Sequence, residues 1–281
     1  MFSGKKINIV VTALIAGLCT GLRGQESGTN RLSAAFSDPS KPGTVEVSLI
    51  NGGISVTGYE GKEVFIESDS KTLKIGGETH GEPQKEKAKG LRRITAGASG
   101  IEVEEKDNRM DISSAAMGST VQLTLRVPFK TSLKLTSVNN GDIRVDNVEG
   151  DLEIEAINGE IALNNVSGSV MAHALNGNLT AVFNRVDPQK PMSFSSMNGD
   201  IDVTFPALLK ADVRLKNKMG ETYTDFDVVL EPKTTKTEED GRKSGGKFKI
   251  EIDRALAGKI NGGGPEIQFE NFNGDIYLRK K

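Results

Sequence analysis

Residues 131–183 read TSLKLTSVNNGDIRVDNVEGDLEIEAINGEIALNNVSGSVMAHALNGNLTAVF, and this stretch decides the fold. Glycine recurs in it at every ninth residue, at Gly141, Gly150, Gly159, Gly168 and Gly177. The apolar residues between the glycines recur in steps of two and then three: Ile143, Val145 and Val148; Leu152, Ile154 and Ile157; Ile161, Leu163 and Val166; Val170, Ala172 and Leu175. A step of two is the alternation of a β-strand, with one side chain facing in and the next facing out. A step of three breaks that alternation, so we expect the backbone to bend there before the next glycine.

Every second nine-residue unit ends in Asn-Gly, so the full repeat is eighteen residues long and has two different corners. Both residue types tolerate a positive φ, glycine because it has no Cβ and asparagine because its polar side chain is short. The same dipeptide returns later in the chain. We therefore predict a set of structural corners at Asn140, Gly141, Asn158, Gly159, Asn176, Gly177, Asn198, Gly199, Asn273 and Gly274.

A short fixed period is typical of a solenoid, in which each coil covers the apolar face of its neighbour. The sequence thus predicts an all-β protein, a parallel β-solenoid with coils of about 18 residues, each made of two short strands. The alternative is an antiparallel β-meander, because Asn-Gly is also a strong hairpin signal. The other corners, Glu149-Gly150 and Ser167-Gly168, lack that signal, and this favours the solenoid.

The rest of the chain divides into four kinds of segment. Residues 1–24 are typical of an export signal, with Lys5 and Lys6 before a short apolar run; a retained membrane anchor is the alternative. Residues 25–43 are polar and predict a flexible linker. Residues 44–281 form one predicted solenoid domain. Within it, the charged segments 76–93 and 231–247 predict loop insertions, either tolerated or used for binding.

Composition excludes several classes of function. The formal net charge is −2, and no basic stripe with interleaved aromatic residues is present, so we expect no binding to nucleic acid. The only cysteine, Cys19, lies in the predicted signal, where Leu18 disfavours a lipoprotein signal. Removal of the signal would leave a mature chain with no disulfide and no membrane span.

The recurring Asn-Gly-Asp-Ile at 140–143, 198–201 and 273–276 and the final segment INGGGPEIQFENFNGDIYLRK resemble a bacterial envelope family. It is an adhesin-type family of exported or membrane-tethered β-strand repeats whose function is unknown. The likeness covers roughly residues 45–281. It implies a right-handed β-helix-like fold without known catalysis.

No metal, cofactor or catalytic site is predicted. The residues that follow the glycines include acids, but Ser169 and Asn178 interrupt them, and calcium-binding β-rolls need an acid in every unit. His173 and His80 have no second histidine at metal-ligand spacing. Glu153 and Glu155 share a face, yet nothing would raise the pKa of either group for general acid catalysis. The Gly262–Pro265 segment is interpreted as a tight corner rather than a phosphate loop, because Pro265 has no N–H.

Three functional hypotheses follow. The first is a non-catalytic exported protein that presents a surface for adhesion or cell-envelope contacts, with an unidentified protein or glycan as partner. The second is a periplasmic structural or regulatory protein that binds a protein partner. The third, which we favour least, is a β-helix enzyme that acts on a polysaccharide, because the predicted outward residues form no basic row and no aromatic platform.

The inward assignment can be tested at Val145. A Val145→Asp variant places an unpaired charge in the predicted core, which costs several kcal/mol of unfolding free energy. Thermal and urea denaturation measure the loss. Unchanged melting behaviour would show that this residue does not face inward.

Overall fold

The computed structural model describes residues 29–72, 101–114, 119–240 and 248–281. The predicted export signal, 1–24, and the predicted charged insertion at 76–93 lie outside these ranges. The described residues contain strands and turns and no helix.

The described residues form twenty-one strands. Their bounds are β1 Thr29–Ala35, β2 Gly43–Asn51, β3 Ile54–Tyr59, β4 Glu63–Thr72, β5 Ile101–Lys106, β6 Arg109–Ser114, β7 Ser119–Pro128, β8 Thr131–Asn139, β9 Ile143–Asp146, β10 Leu152–Asn158, β11 Ile161–Gly168, β12 Val170–Asn176, β13 Leu179–Val186, β14 Met192–Asn198, β15 Ile201–Phe205, β16 Ala211–Met219, β17 Thr222–Thr224, β18 Val228–Asp240, β19 Phe248–Ile260, β20 Glu266–Asn273 and β21 Ile276–Lys280.

These strands form two sheets with one core between them. Sheet A has ten strands in the order β1-β4-β7-β3-β9-β11-β13-β15-β21-β17. Sheet B has eleven strands in the order β18-β19-β16-β20-β14-β12-β10-β8-β2-β6-β5. Through the middle of the chain, successive strands alternate between the two sheets.

Neighbouring strands in the middle of each sheet run parallel. Leu152 of β10 pairs with Val170 of β12, and Ile161 of β11 pairs with Leu179 of β13, so one coil spans eighteen residues here. The meander alternative is therefore wrong for this part of the chain, since a meander would pair its strands antiparallel. The fold is all-β and β-solenoid-like. Its right-handed sense stays a prediction.

The two terminal coils are not at the ends of the stack. The coil β2–β3 lies between β8–β9 and β6–β7, and the coil β20–β21 lies between β14–β15 and β16–β17. Each end of the chain therefore returns and inserts one coil inward. The final strand β21 is consequently paired on both sides, with β15 and with β17.

Antiparallel strands close three of the four sheet ends, and two predictions fail there. Residues 25–43, predicted as a linker, contain β1, which pairs with β4; Leu32 and Ala34 pack against the core and Phe36 is buried. The polar composition concealed this short apolar alternation.

Residues 231–247, predicted as a loop, begin with most of β18, which pairs with β19 from Val228 to Asp240. Main-chain pairing defines this hairpin. Residues 231–240 of β18 show no apolar period, although Phe248, Ile250 and Ile252 of β19 alternate.

The core confirms most of the predicted inward positions. Val145, Val148 and Val166 are fully buried. The predicted bend before Val148 and Val166 occurs at Asn147 and Asn165, which adopt φ of 56° and 52°. The left-handed asparagine turns the chain, so that the residue directly after it, Val148 or Val166, faces inward again.

Two residues that were predicted to face the core do not face it. Ile157 and Leu175 are only half-buried, and Ala156 and Ala174 face the core in their place. In β10 and β12 the alternation continues without a bend up to the asparagine. The two halves of each coil thus end differently, although their apolar spacing looks the same in the sequence.

Glycine occupies the corner because the neighbouring coil leaves no room for a Cβ. A Cβ on Gly141 would lie 1.6 Å from the carbonyl oxygen of Gly52, and one on Gly159 would lie 2.2 Å from that of Gly141. The contact repeats from coil to coil, and we call the set the glycine column: Gly52, Gly141, Gly159, Gly177, Gly199, Gly274 and Gly220. Neither Gly141 nor Gly159 has a positive φ, so close approach is the requirement they share with the others.

A Gly159→Ala substitution tests this requirement. The added methyl group forces the two coils apart, and overpacking of this kind costs roughly 1–3 kcal/mol of unfolding free energy. Gly53→Ala is the matched control, since Gly53 also lacks a positive φ and its Cβ would first meet the flexible side-chain amide of Gln122, at 2.7 Å. Chemical denaturation should show the larger loss for Gly159→Ala. An equal or smaller loss would contradict the steric explanation.

Candidate interaction surface

The predicted asparagine corners form a ladder of side chains on the outside of the molecule. Each amide donates a hydrogen bond to the amide oxygen of the previous coil: Asn158 to Asn139 (3.2 Å), Asn176 to Asn158 (3.0 Å), Asn198 to Asn176 (2.9 Å) and Asn273 to Asn198 (3.5 Å). We call these five residues the asparagine ladder. A ladder of this kind ties parallel strands together in register.

Asn139, not the predicted Asn140, takes the position in the ladder. Asn51 pairs with Asn139, and Asn139 binds Asn158. Asn140 is an extra residue whose φ is 55°. The segment before Gly141 is one residue longer than the repeat requires, and Asn140 is the additional residue. Counting back from Gly141 in the sequence therefore places the corner one residue too late.

A second row, of mostly acidic residues, follows the glycine column. The side-chain oxygens of Asp142, Asn178, Asp200 and Asp275 each accept the backbone N–H of the corresponding residue in the next coil, at 2.8–3.0 Å. These oxygens are thus occupied by the fold itself. Within the described residues no group of three or more His, Cys, Asp or Glu could hold a metal ion.

Charged side chains on the outward face of sheet B pair with one another. Lys134 contacts Glu153 at 3.3 Å, Lys216 contacts Glu270 at 3.1 Å, and Arg109 contacts Glu46. Surface pairs of this kind contribute little to stability. Their effect is to leave the face with no field of a single sign.

One row on this face is apolar along six adjacent strands. It consists of the residues that precede Asn51 and the asparagine ladder, and we call it the apolar ridge: Ile50, Val138, Ile157, Leu175, Met197 and Phe272. At strand spacing the ridge is roughly 24 Å long. The exposed fractions of Ile50, Met197 and Phe272 are 53%, 44% and 41%. Contiguous exposed apolar surface of this kind marks interaction sites in soluble proteins.

The ridge was missed in the sequence because two of its members had been assigned to the core. Ile157 and Leu175 fit the two-then-three spacing, yet they face outward. The available signal was the position itself, since each ridge residue directly precedes a corner asparagine. The ridge ends at β16, where Lys218 places its Nζ 5.4 Å from the ring of Phe272.

The residues considered for catalysis do not come together. His173 faces outward and its Nδ1 lies 2.7 Å from Ser195 Oγ, while His80 lies outside the described residues. Glu153 and Glu155 are exposed on the same face. Gly262 and Gly263 form a tight turn between β19 and β20, with φ of 88° and 90°.

A shallow groove of about 510 Å³ lies at the other corner. Two of its three cations are paired, Arg185 with Glu149 at 3.4 Å and Lys190 with Asp151 at 2.7 Å, and the third is Lys130. The hydrogen bond to Asp151 raises the pKa of Lys190. A groove whose charges neutralise each other offers no convergent acid and base for hydrolysis.

The geometry defines a β-solenoid-like protein that presents regular rows of side chains. Residues 26–256 match the model of the family described as Toastrack DUF4097. The chain therefore belongs to the Toastrack DUF4097 family, and the expected membership of an envelope family of unknown function is confirmed. The matched range ends before β20 and β21, the coil that carries the most specific part of the resemblance.

Two solved structures are similar to this chain at low identity. One is a putative cell adhesion protein from Clostridium sporogenes, with 13% identity, a TM-score of 0.46 and coverage of 90% of this chain and 100% of that one. The other is a putative adhesin from Bacteroides fragilis, with 10% identity, a TM-score of 0.39 and coverage of 91% and 98%. A search of curated proteins returned no match.

Among the residues that the structure describes, no helix is long and apolar enough to cross a membrane.

The energetic weight of the asparagine ladder can be measured at Asn176. Asn176→Ala removes hydrogen bonds to Asn158 and Asn198 and should lower the unfolding free energy by about 1–2 kcal/mol. Asn164→Ala is the control, because Asn164 is an exposed outward residue of β11 without a described side-chain hydrogen bond. Denaturation in urea compares the two. If the control variant loses as much stability as Asn176→Ala, the ladder contributes nothing specific.

Proposed function

We propose that this protein is a non-catalytic, exported binding protein of the cell envelope, and that the apolar ridge is the surface that contacts its partner. The single observation that supports this function is the row of six apolar residues that occupy one repeat position on the outward face of sheet B. The proposed partner is a protein, since an extended apolar row suits a protein surface better than a hydrophilic glycan.

Several features support binding rather than catalysis. The coils repeat one side-chain position at a constant spacing, which builds extended rows and no deep cleft. The acids of the corner row are engaged by backbone N–H groups of the next coil. Adhesion at the cell surface is the leading form, and a periplasmic role with a protein partner is the second.

A binding measurement with ridge variants tests the proposal. The purified protein, labelled with a fluorophore, is titrated onto intact cells of the producing bacterium and onto their isolated envelopes. Met197→Gln combined with Phe272→Gln makes the ridge polar; glutamine matches methionine in length and is smaller than phenylalanine. The expected result is saturable binding that the double variant weakens at least roughly tenfold, a loss of about 1.4 kcal/mol.

The control is Val182→Gln combined with Leu208→Gln. Val182 is a half-buried outward residue of sheet A, and Leu208 is 89% exposed, so this variant removes comparable apolar surface elsewhere. Binding to intact cells would support adhesion, and binding to isolated envelopes alone would support the periplasmic form. Equal binding by both double variants, or no saturable binding by the parent protein, would contradict the proposal.

A further inference from the structure

Neighbouring coils of sheet A are joined at the corner by a hydrogen-bonding unit that repeats without change. The N–H of the first inward residue donates to the carbonyl of the corner residue in the next coil, at 2.8–2.9 Å. The donor and acceptor pairs are Leu123 and Gly53, Ile54 and Asp142, Ile143 and Glu160, Ile161 and Asn178, Leu179 and Asp200, Ile201 and Asp275, and Ile276 and Glu221.

A side chain completes this unit in the opposite direction. Asp200 Oδ1 accepts the N–H of Asp275 at 2.8 Å, and Asp275 Oδ1 accepts the N–H of Glu221 at 2.8 Å. One coil therefore holds both the C=O and the N–H of a single residue in the next coil. This two-point contact recognises an extended backbone that runs parallel to the strand.

The series ends on β17, where no described strand follows to form the next pair of hydrogen bonds. β17 is the edge strand of sheet A, and Thr222 is the register partner of Ile276. The N–H of Thr222 consequently points away from β21, and Glu221 occupies the position in the repeat that Asp275 holds in the neighbouring coil. Sheet B at the same end is continued by β19 and β18, so only sheet A is left open.

The edge is accessible in the structure. Glu221, Tyr223, Thr224 and Asp225 are all exposed, and Thr222 is half-buried. No residue of the described ranges lies against the outer edge of β17 as a strand. The outward N–H of Thr222 and the exposed carboxylate of Glu221 are thus open to an added chain.

An aromatic stack beside the same edge indicates what the added chain carries. The rings of Tyr223 and Tyr277 stack with centroids 5.3 Å apart and planes 11° apart, and the guanidinium of Arg279 lies 5.0 Å from the Tyr277 centroid. Tyr223 is 47% exposed, and no described strand covers its outer face. An open tyrosine face attracts a cation, as Tyr277 does here with Arg279.

The charges at this edge also favour a basic partner. Glu221 and Asp227 form no ion pair with any residue in the described ranges. Each tyrosine hydroxyl donates to the acid two residues earlier, at 3.1 Å, and these bonds raise the pKa of Tyr223 and of Tyr277. Both rings therefore stay neutral and hold fixed positions beside uncompensated carboxylates.

We propose that the β17 edge binds an extended basic segment of a partner protein, which adds to sheet A as a parallel strand. The C=O and N–H of one partner residue occupy the Thr222 N–H and the Glu221 carboxylate. An arginine two residues later stacks on Tyr223. This is strand addition, in which main-chain hydrogen bonds supply affinity and side chains supply selectivity. The surface is separate from the apolar ridge, so either site can fail without the other.

The test uses two fluorescein-labelled peptides as probes, Ser-Val-Arg-Val-Arg-Ser and its acidic counterpart Ser-Val-Glu-Val-Glu-Ser. Fluorescence anisotropy gives the dissociation constants for the full chain and its variants. The arginine peptide should bind at least roughly tenfold more tightly than the glutamate peptide. Hydrogen exchange at the Thr222 amide should slow when the arginine peptide is added, while exchange at Ile276 stays unchanged.

Three variants separate the contacts. Thr222→Pro removes the outward N–H without breaking a bond to β21 and should weaken binding roughly tenfold or more. Glu221→Gln and Tyr223→Ala should each weaken it roughly fivefold. Glu160→Gln is the control, because it removes the same charge from an interior coil, and it should leave the affinity unchanged. Melting temperatures verify that every variant is folded.

Several results would overturn the proposal: equal affinity for the two peptides, no binding of either, or full affinity in Thr222→Pro. Self-association of the chain that Thr222→Pro abolishes, without peptide binding, would also overturn it, because a second copy would then be the occupant.

Discussion

The structure depends on the close approach of neighbouring coil backbones at the glycine column. A Cβ at any of these corners, including Gly52, would lie 1.6–2.4 Å from a carbonyl oxygen of the adjacent coil. Only glycine allows that separation, and the separation allows the corner hydrogen bonds and the asparagine ladder to form. The apolar core alone would tolerate strands that slide along one another, since one buried valine resembles the next. The corner contacts remove this freedom, because a shift by one residue would place a side chain where the glycine must be.

A strict register has a direct consequence for function. Each position of the repeat becomes a row of side chains along the stack, and a chemical property that recurs in the repeat becomes a continuous surface. The residue before each ladder asparagine builds the apolar ridge in this way. Four of the residues that follow a column glycine build the row that accepts backbone N–H groups. The functional features of this molecule are therefore rows and the ends of rows. They do not require a cavity, which agrees with the shallow, charge-neutralised groove.

Much of this architecture could be predicted from residues 131–183. The nine-residue glycine period gave the parallel stack, and the bend before Val148 and Val166 followed from the step of three. The same step misassigned Ile157 and Leu175, because Asn147 and Asn165 adopt a left-handed conformation whereas the asparagines of the ladder do not. Both kinds of asparagine look alike in the sequence, and the difference arises from contacts with the next coil.

Long-range order was beyond sequence reasoning. Nothing local to β20 and β21 indicates that they insert before β16 and β17, since every coil presents the same edge to its neighbours. The antiparallel strand β1 was concealed by a polar composition, and β18 has no apolar period after Leu230. The open edge at β17 followed only from the strand order. Its members, Glu221, Thr222 and Tyr223, form no motif when the sequence is considered alone.

The parallel register of the coils is the central claim, and a pair of engineered cysteines tests it most directly. Glu155 and His173 are exposed register partners on β10 and β12. In a chain that also carries Cys19→Ala, the substitutions Glu155→Cys and His173→Cys place two thiols on adjacent parallel strands, within the Cα separation of roughly 4.4–6.8 Å that a disulfide needs. We predict that the bond forms under mild oxidation, as seen by mass spectrometry of a proteolytic digest, and that an off-register pair, Glu155→Cys with Met171→Cys, stays reduced. In a meander β11 would lie between β10 and β12, so the two strands would be roughly 9–10 Å apart. Absence of the disulfide in the register pair, or its equal formation in the off-register pair, would contradict the stacked-coil account.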